Sequence, residues 1–85
     1  MYEWDDKKNE KNREKHNVGF EVMADFDWET AIIIPDDRHT EPRWFAMGYI
    51  SDRLYAVAYT ERNKKVRVIS LRKANIRERK RYENG

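Results

Sequence analysis

The stretch that decides the fold is Trp44-Phe45-Ala46-Met47-Gly48-Tyr49-Ile50, Ser51-Asp52-Arg53, Leu54-Tyr55-Ala56-Val57-Ala58-Tyr59-Thr60, then Glu61 to Lys65, then Val66-Arg67-Val68-Ile69-Ser70-Leu71. Three runs rich in aromatic and β-branched residues, split by short polar segments, predict three strands of an antiparallel meander. Side chains alternate across a strand, so the turn length decides which residues share a face. With three residues in each turn, Phe45, Met47, Tyr49, Tyr55, Val57, Tyr59, Arg67, Ile69 and Leu71 lie together. Trp44, Ala46, Gly48, Ile50, Leu54, Ala56, Ala58, Val68, Ser70 and Arg72 lie on the other side. Both faces are largely apolar, so neither is built simply for water. The bulky face is expected to pack on helices and the small-residue face to form a shallow concavity. A slip of one residue exchanges these roles.

Working outward, Trp28 to Ile34 reads as a further strand closed by Pro35, and Asp36 to Pro42 as a polar loop. Phe20, Met23, Ala24 and Phe26 recur at helical spacing and predict a short amphipathic helix. Before it, Asp5 or Asp6 caps a helix that runs to His16 and is stopped by Asn17 and Gly19. Between those ends stand only Lys, Asn, Glu and Arg, so this helix has no apolar stripe and core burial alone does not hold it. At the other end Asn75-Ile76-Arg77-Glu78 has the form of a capping box and opens a basic helix ending near Tyr82. The expected fold is α+β. It is one domain over residues 1–85, with an antiparallel sheet of three to four strands, N-terminal helices on one face and a basic C-terminal helix.

Composition narrows the function. The 85 residues include no Cys, which excludes disulfide staples, thiolate catalysis and Cys-ligated metal sites. The longest apolar run, Ala31 to Ile34, is far short of the roughly 20 residues of a membrane span, and the charged start is unlike a signal peptide. The expected compartment is the cytoplasm.

The net charge of +2 hides a strong asymmetry. Arg62 to Tyr82 holds ten basic residues and one acid, a net of +9, which leaves −7 on the rest. Seven of the acids lie between Glu21 and Glu41. A basic third on an otherwise acidic chain suits a polyanion such as a phosphate backbone; the alternative is a solvated helix face.

His16 and His39 stand in no metal-binding spacing, and Asp36, Asp37, His39 and Glu41 read as a polar loop rather than a cation site. No Gly-rich phosphate loop or nucleophile elbow is present. What remains is a set of Arg and Lys residues, His16, and carboxylates including Glu61. Such groups can bind a phosphodiester and neutralise the charge that builds when the 2′-hydroxyl of RNA attacks it. The same groups also have structural readings, His16 as a helix C-terminal residue and Glu61 as an ion-pair partner for Arg67.

The order of motifs is specific in combination. Tyr2-Glu3-Trp4-Asp5, Lys8, Asn12, Lys15-His16, Val18 and Phe20-Glu21 are followed by Arg43, Gly48, Tyr59-Thr60-Glu61-Arg62 and Arg67-Val68-Ile69-Ser70. Arg72-Lys73-Ala74, Arg77-Glu78-Arg79 and Tyr82 complete the set. Over nearly the whole chain this resembles the BrnT family of bacterial toxins. Trp44, Leu71 and Asn75 depart from the residues more usual there.

The resemblance implies a RelE-like fold and the toxin half of a type II toxin-antitoxin pair. Such a toxin would be an endoribonuclease that needs no metal or other cofactor and slows translation by cutting RNA. It implies a BrnA-type antitoxin, dimeric and DNA-binding, hence a heterotetramer that reaches promoter DNA only through the antitoxin. On this reading His16, Glu61, Arg67 and Arg72 are catalytic, with His16 and Glu61 moving protons. Lys15 and Arg77 bind the substrate. The competing class is a non-catalytic nucleic-acid-binding module acting through its basic C-terminal region.

Overall fold

A computed structural model gives the structure of residues 1–85. The chain runs β1 (Tyr2–Glu3), α1 (Asp6–His16), a 3₁₀ helix (Phe20–Asp25), β2 (Ile32–Asp36), β3 (Arg43–Ile50), β4 (Arg53–Arg62), β5 (Lys65–Lys73) and α2 (Ile76–Glu83). The five strands form one sheet in the order β1-β5-β4-β3-β2. All neighbours are antiparallel except β1, which runs parallel to β5. The sheet is therefore mixed and five-stranded, not three- to four-stranded and antiparallel as the sequence pattern predicts. The two residues of β1 are too few to show any periodicity; only their pairing with Val66 and Arg67 makes them a strand.

Turn length corrects the predicted faces. Each hairpin turn holds two residues, Ser51-Asp52 between β3 and β4 and Asn63-Lys64 between β4 and β5. Ser51, Asn63 and Lys64 take positive φ, which matches a two-residue turn to the twist of its strands. With two residues instead of three, β3 is turned over relative to β4, so Trp44, Ala46, Gly48 and Ile50 share a face with Tyr55, Val57 and Tyr59. A bulge then pairs Tyr59 with Val68 but Ala58 with Ser70, leaving Ile69 as the added residue. Val68 and Leu71 consequently join the Tyr59 face, while Arg67, Ser70 and Arg72 join Thr60, Ala58 and Ala56 on the other.

The Tyr59 face carries the core, in which Phe20, Met23, Phe26, Ala46, Ile50, Val57, Val68 and Leu71 are buried with Tyr59. Phe20, Met23 and Phe26 recur every three residues, the period of a 3₁₀ helix rather than of the predicted α-helix, and Ala24 faces solvent. Phe26 lies directly on β3: a Cβ at Gly48 would stand 2.5 Å from Cζ of its ring, so only glycine permits the contact. Trp28 falls before β2, not in it, and its indole N–H donates to the Tyr2 hydroxyl (2.6 Å). Pro35 lies inside β2 instead of closing it, which an edge strand allows.

The polar helix α1 is held by amides. Asp5 caps it by accepting from the N–H groups of Lys7 and Lys8, and Asn17 ends it in the left-handed conformation at φ 60°. Its two buried residues are Asn9 and Asn12, three apart on one stripe. Asn12 accepts from Leu71 N–H (3.0 Å) and donates to Leu71 C=O (2.7 Å) and Val18 C=O (2.9 Å). Asn9 accepts from Phe20 N–H (2.8 Å) and donates to Glu21 (2.7 Å). Both polar groups of Leu71 point away from β4, so Asn12 occupies the place that a longer β1 would fill. Thus α1 lies along the β5 edge, and the 3₁₀ helix covers the core face.

On the opposite face, α2 starts with the predicted capping box, in which Glu78 N–H donates to Asn75 and Asn75 N–H donates to Glu78. No residue of α2 is buried. Tyr82 anchors the helix by packing edge-on against Tyr49 and donating its hydroxyl proton to Thr30 C=O (2.9 Å).

Replacing Asn12 tests the amide anchor. Asn12→Ala leaves Leu71 N–H and two carbonyls without partners and should cost about 2–4 kcal/mol, read as a lower urea midpoint. Asn12→Asp keeps the acceptor but sets a buried carboxylate oxygen against the Leu71 and Val18 carbonyls, and should cost at least as much. Full wild-type stability for Asn12→Ala would contradict this account of how α1 is held.

Candidate active site

Because β1 stops at Glu3 and α1 continues beside β5, a groove opens between helix and sheet on the α2 side. Lys8, Lys11, Asn12, Lys15 and His16 line it from α1, and Ile69 and Ser70 from β5, around a cavity of about 320 Å³. Lys8, Lys11 and Lys15 are spaced three and four apart, which sets them in one row beside the Asn9-Asn12-His16 stripe. No lysine of the chain stands within 4.0 Å of a carboxylate, so no member of this row is held in an ion pair.

Arg67 and Arg72 project from β5 on the same side as Ser70, before and after the Ile69-Ser70 segment that lines the groove. Arg67 is near its start, where its charge, with that of Lys8, reaches Asp5; the stronger effect there is donation from Lys7 and Lys8 N–H, and together they hold the Asp5 carboxyl below its usual range. Its ion-pair partner is Glu3 (3.0 Å), not Glu61. Arg72 is at the far end and makes a two-pronged bond to Glu78, at 2.7 and 2.8 Å. That bond pushes the Arg72 guanidinium up and the Glu78 carboxyl down from their ordinary values.

His16 closes the groove beside Arg72. Burial first, then the charges of Lys15 and Arg72, push its imidazole below the ordinary value of 6.5. The shift favours the neutral imidazole, whose free nitrogen lone pair can accept a proton.

Of the residues singled out from sequence, His16, Lys15 and Arg72 come together, with Arg67 further along the same lane. Glu61 does not join them. It lies opposite Val66 on the Tyr59 face, at the rim of an apolar hollow formed by Met1, Trp28, Ile33, Tyr59 and Val66. There it and burial together raise the Tyr59 hydroxyl pKa, burial being the larger cause. Nor does Arg77 face the groove; it borders a separate depression with Arg53 and Arg79. The predicted constellation thus splits across the sheet because β4 sends Thr60 and Glu61 to opposite faces. Sequence reasoning missed Lys8, Lys11 and Ser70 as groove residues, although the helical row of lysines was a usable signal. The acidic loop is also accounted for: Asp36 grips Arg38 (2.8 and 2.9 Å) and lies 3.6 Å from His39.

A small α+β protein with a lysine-lined groove, an imidazole at its end and two guanidiniums on the same side of β5 has the equipment of a protein that handles phosphodiesters. The family model of the ribonuclease toxin BrnT, of type II toxin-antitoxin systems, matches residues 4–78. The chain belongs to that family, and a toxin of this type implies an antitoxin as its partner. The match includes every residue of the groove as well as Arg67, Arg72 and Glu78. No curated protein matches the chain. No helix is long and apolar enough to cross a membrane.

The position of His16 predicts a pH effect with a definite sign. Between its lowered folded pKa and about 6.5 the unfolded chain binds the proton more readily, so folding stability should fall as pH is lowered through that window. Nuclear magnetic resonance titration should place the imidazole below 6.5 and move it upward in Lys15→Gln. An unchanged value in that variant would remove Lys15 from the explanation.

Proposed function

We propose that the groove between α1 and β5 is the active site of a metal-independent endoribonuclease. The observation that carries the proposal is the placement of His16 at the end of an unpaired lysine row, within reach of the charges of Lys15 and Arg72. The lysines draw the phosphate backbone in, and Arg72 and Lys15 hold the phosphate at the far end beside His16. His16 takes the proton of the 2′-hydroxyl as its oxygen bonds to phosphorus and the bond from phosphorus to the 5′-oxygen breaks. The departing 5′-oxygen takes a proton from the Lys15 ammonium, and the cations stabilise the added negative charge between. The products are a 2′,3′-cyclic phosphate and a 5′-hydroxyl. Arg67 guides the strand at the other end, and Glu61 has no part in the step.

The wider reading follows the family. The architecture is RelE-like, the protein works on RNA in the cytoplasm to inhibit translation, and the antitoxin is BrnA-type. A dimeric antitoxin gives a heterotetramer and supplies the contact with promoter DNA.

Purified toxin freed of its antitoxin should cut RNA in excess EDTA, leave DNA of the same sequence intact, and generate 2′,3′-cyclic phosphate ends. His16→Ala should lower the rate by about 10²–10⁴-fold and Arg72→Gln by a comparable factor, with the fold checked by circular dichroism. Glu61→Gln should keep wild-type activity. Cleavage that disappears with chelator and returns with magnesium rejects the mechanism. Wild-type protein that binds RNA and never cuts it is instead a binding module.

A further inference from the structure

The ten arginines of this chain sort into two groups. Arg13, Arg38, Arg43, Arg62, Arg67 and Arg72 each have a carboxylate within 4.0 Å. Arg53, Arg77, Arg79 and Arg81 have none, although the chain carries 16 acids. Three of those four unpaired guanidiniums border one depression of about 530 Å³, closed by Ala74, Asn75 and Ile76. All three are exposed, and Arg53 comes from the start of β4 while Arg77 and Arg79 come from α2. Two unconnected elements therefore present three like charges to the same space with no counter-charge among them.

No carboxylate of the protein forms an ion pair with this cluster. Asp52 and Glu83 lie nearby, in the adjoining hollow that Arg53 and Arg79 also border, yet neither comes within 4.0 Å of a guanidinium. Arginine forks match the paired oxygens of phosphate, and a broad open depression suits a polymer passing over it better than an enclosed small molecule. We infer that Arg53, Arg77 and Arg79 form a second phosphate-binding surface, separate from the groove, that grips single-stranded RNA outside the segment being cut. The inference rests on the reading of this protein as an RNA-cleaving toxin. It adds that affinity is divided between two basic surfaces on either side of the Arg72–Glu78 pair.

The test uses the whole chain and an RNA of about 20 nucleotides carrying 2′-O-methyl groups throughout, which binds but cannot be cut by the 2′-hydroxyl route. Affinity is measured across a salt series for wild type, for Arg53→Gln/Arg77→Gln/Arg79→Gln, and for Lys7→Gln/Lys64→Gln/Lys65→Gln, which removes the same charge from exposed positions elsewhere. Each single-strand phosphate contact contributes about 0.7 to the salt slope, so the arginine variant should have a slope shallower by about 2. It should also bind at least tenfold more weakly at low salt, with the lysine variant near wild type. Equal losses in both variants make the effect one of net charge and overturn the inference. An arginine variant with wild-type affinity and slope shows a merely solvated face and does the same. If it retains RNA binding but loses its antitoxin, the surface is a protein interface, which again overturns it. Binding is read without cleavage, so a wild type that grips this RNA but cuts no ordinary RNA counts against the ribonuclease reading and leaves the second surface standing.

Discussion

The side chain of Asn12 is the point on which the molecule turns. One amide takes both the N–H and the C=O of Leu71 and also ties down Val18. A strand cut off after two residues would leave the β5 edge open, and an open edge inside a protein must be satisfied. By completing β5 with a helix instead of a strand, Asn12 brings Lys8, Lys11, Lys15 and His16 against the sheet. An additional strand in that place would have offered one side chain in two to the α2 face. The helix offers a continuous row. The amide that satisfies the edge and the cations that line the groove are thus neighbouring stripes of one helix.

This also explains what could be read in the sequence and what could not. Strands β3, β4 and β5, both helix ends and the capping box at Asn75 follow from local chemistry, and local chemistry is visible residue by residue. The face assignment failed because it depends on turn length. Ser51 and Lys64 are not the glycines that mark two-residue turns, so nothing in their identity announced the left-handed backbone they adopt. The bulge at Ile69 then turned over the first half of β5 relative to the second, which separated Arg67 from Ile69 and Leu71 and set it on the side of Ser70 and Arg72. An all-polar helix was correctly recognised as lacking a core stripe, but its anchor lies 59 residues away in the chain. No periodicity carries that information.

The candidate site shows the same division. Residue type and family order point to His16, Lys15 and Arg72, which the fold places near one another. Glu61 enters that group through its chemistry and Arg77 through the resemblance, and the pleat and the position of α2 set both apart from the groove. Lys8 and Lys11 were passed over because lysine on a polar helix is ordinarily solvated surface. Their place in the groove becomes visible only when the helix is laid along β5.

The ion pair between Arg72 and Glu78 assigns different work to the two kinds of cation. Glu78 accepts both prongs of Arg72 and the N–H of Asn75, so one carboxylate holds the guanidinium and starts α2. A guanidinium so engaged is fixed in position, and its pair is close to neutral at long range. It still has donors beyond those two prongs, because a guanidinium carries five N–H groups. In the proposed reaction, attraction of a phosphate from a distance would therefore fall to the unpaired lysines, whose flexible stems suit capture better than placement. Arg72 would then supply the fixed geometry at the end of the path, near the imidazole of His16. Steering by loose charges and positioning by a pinned one is an efficient division, since a rigid donor loses little freedom when the substrate arrives.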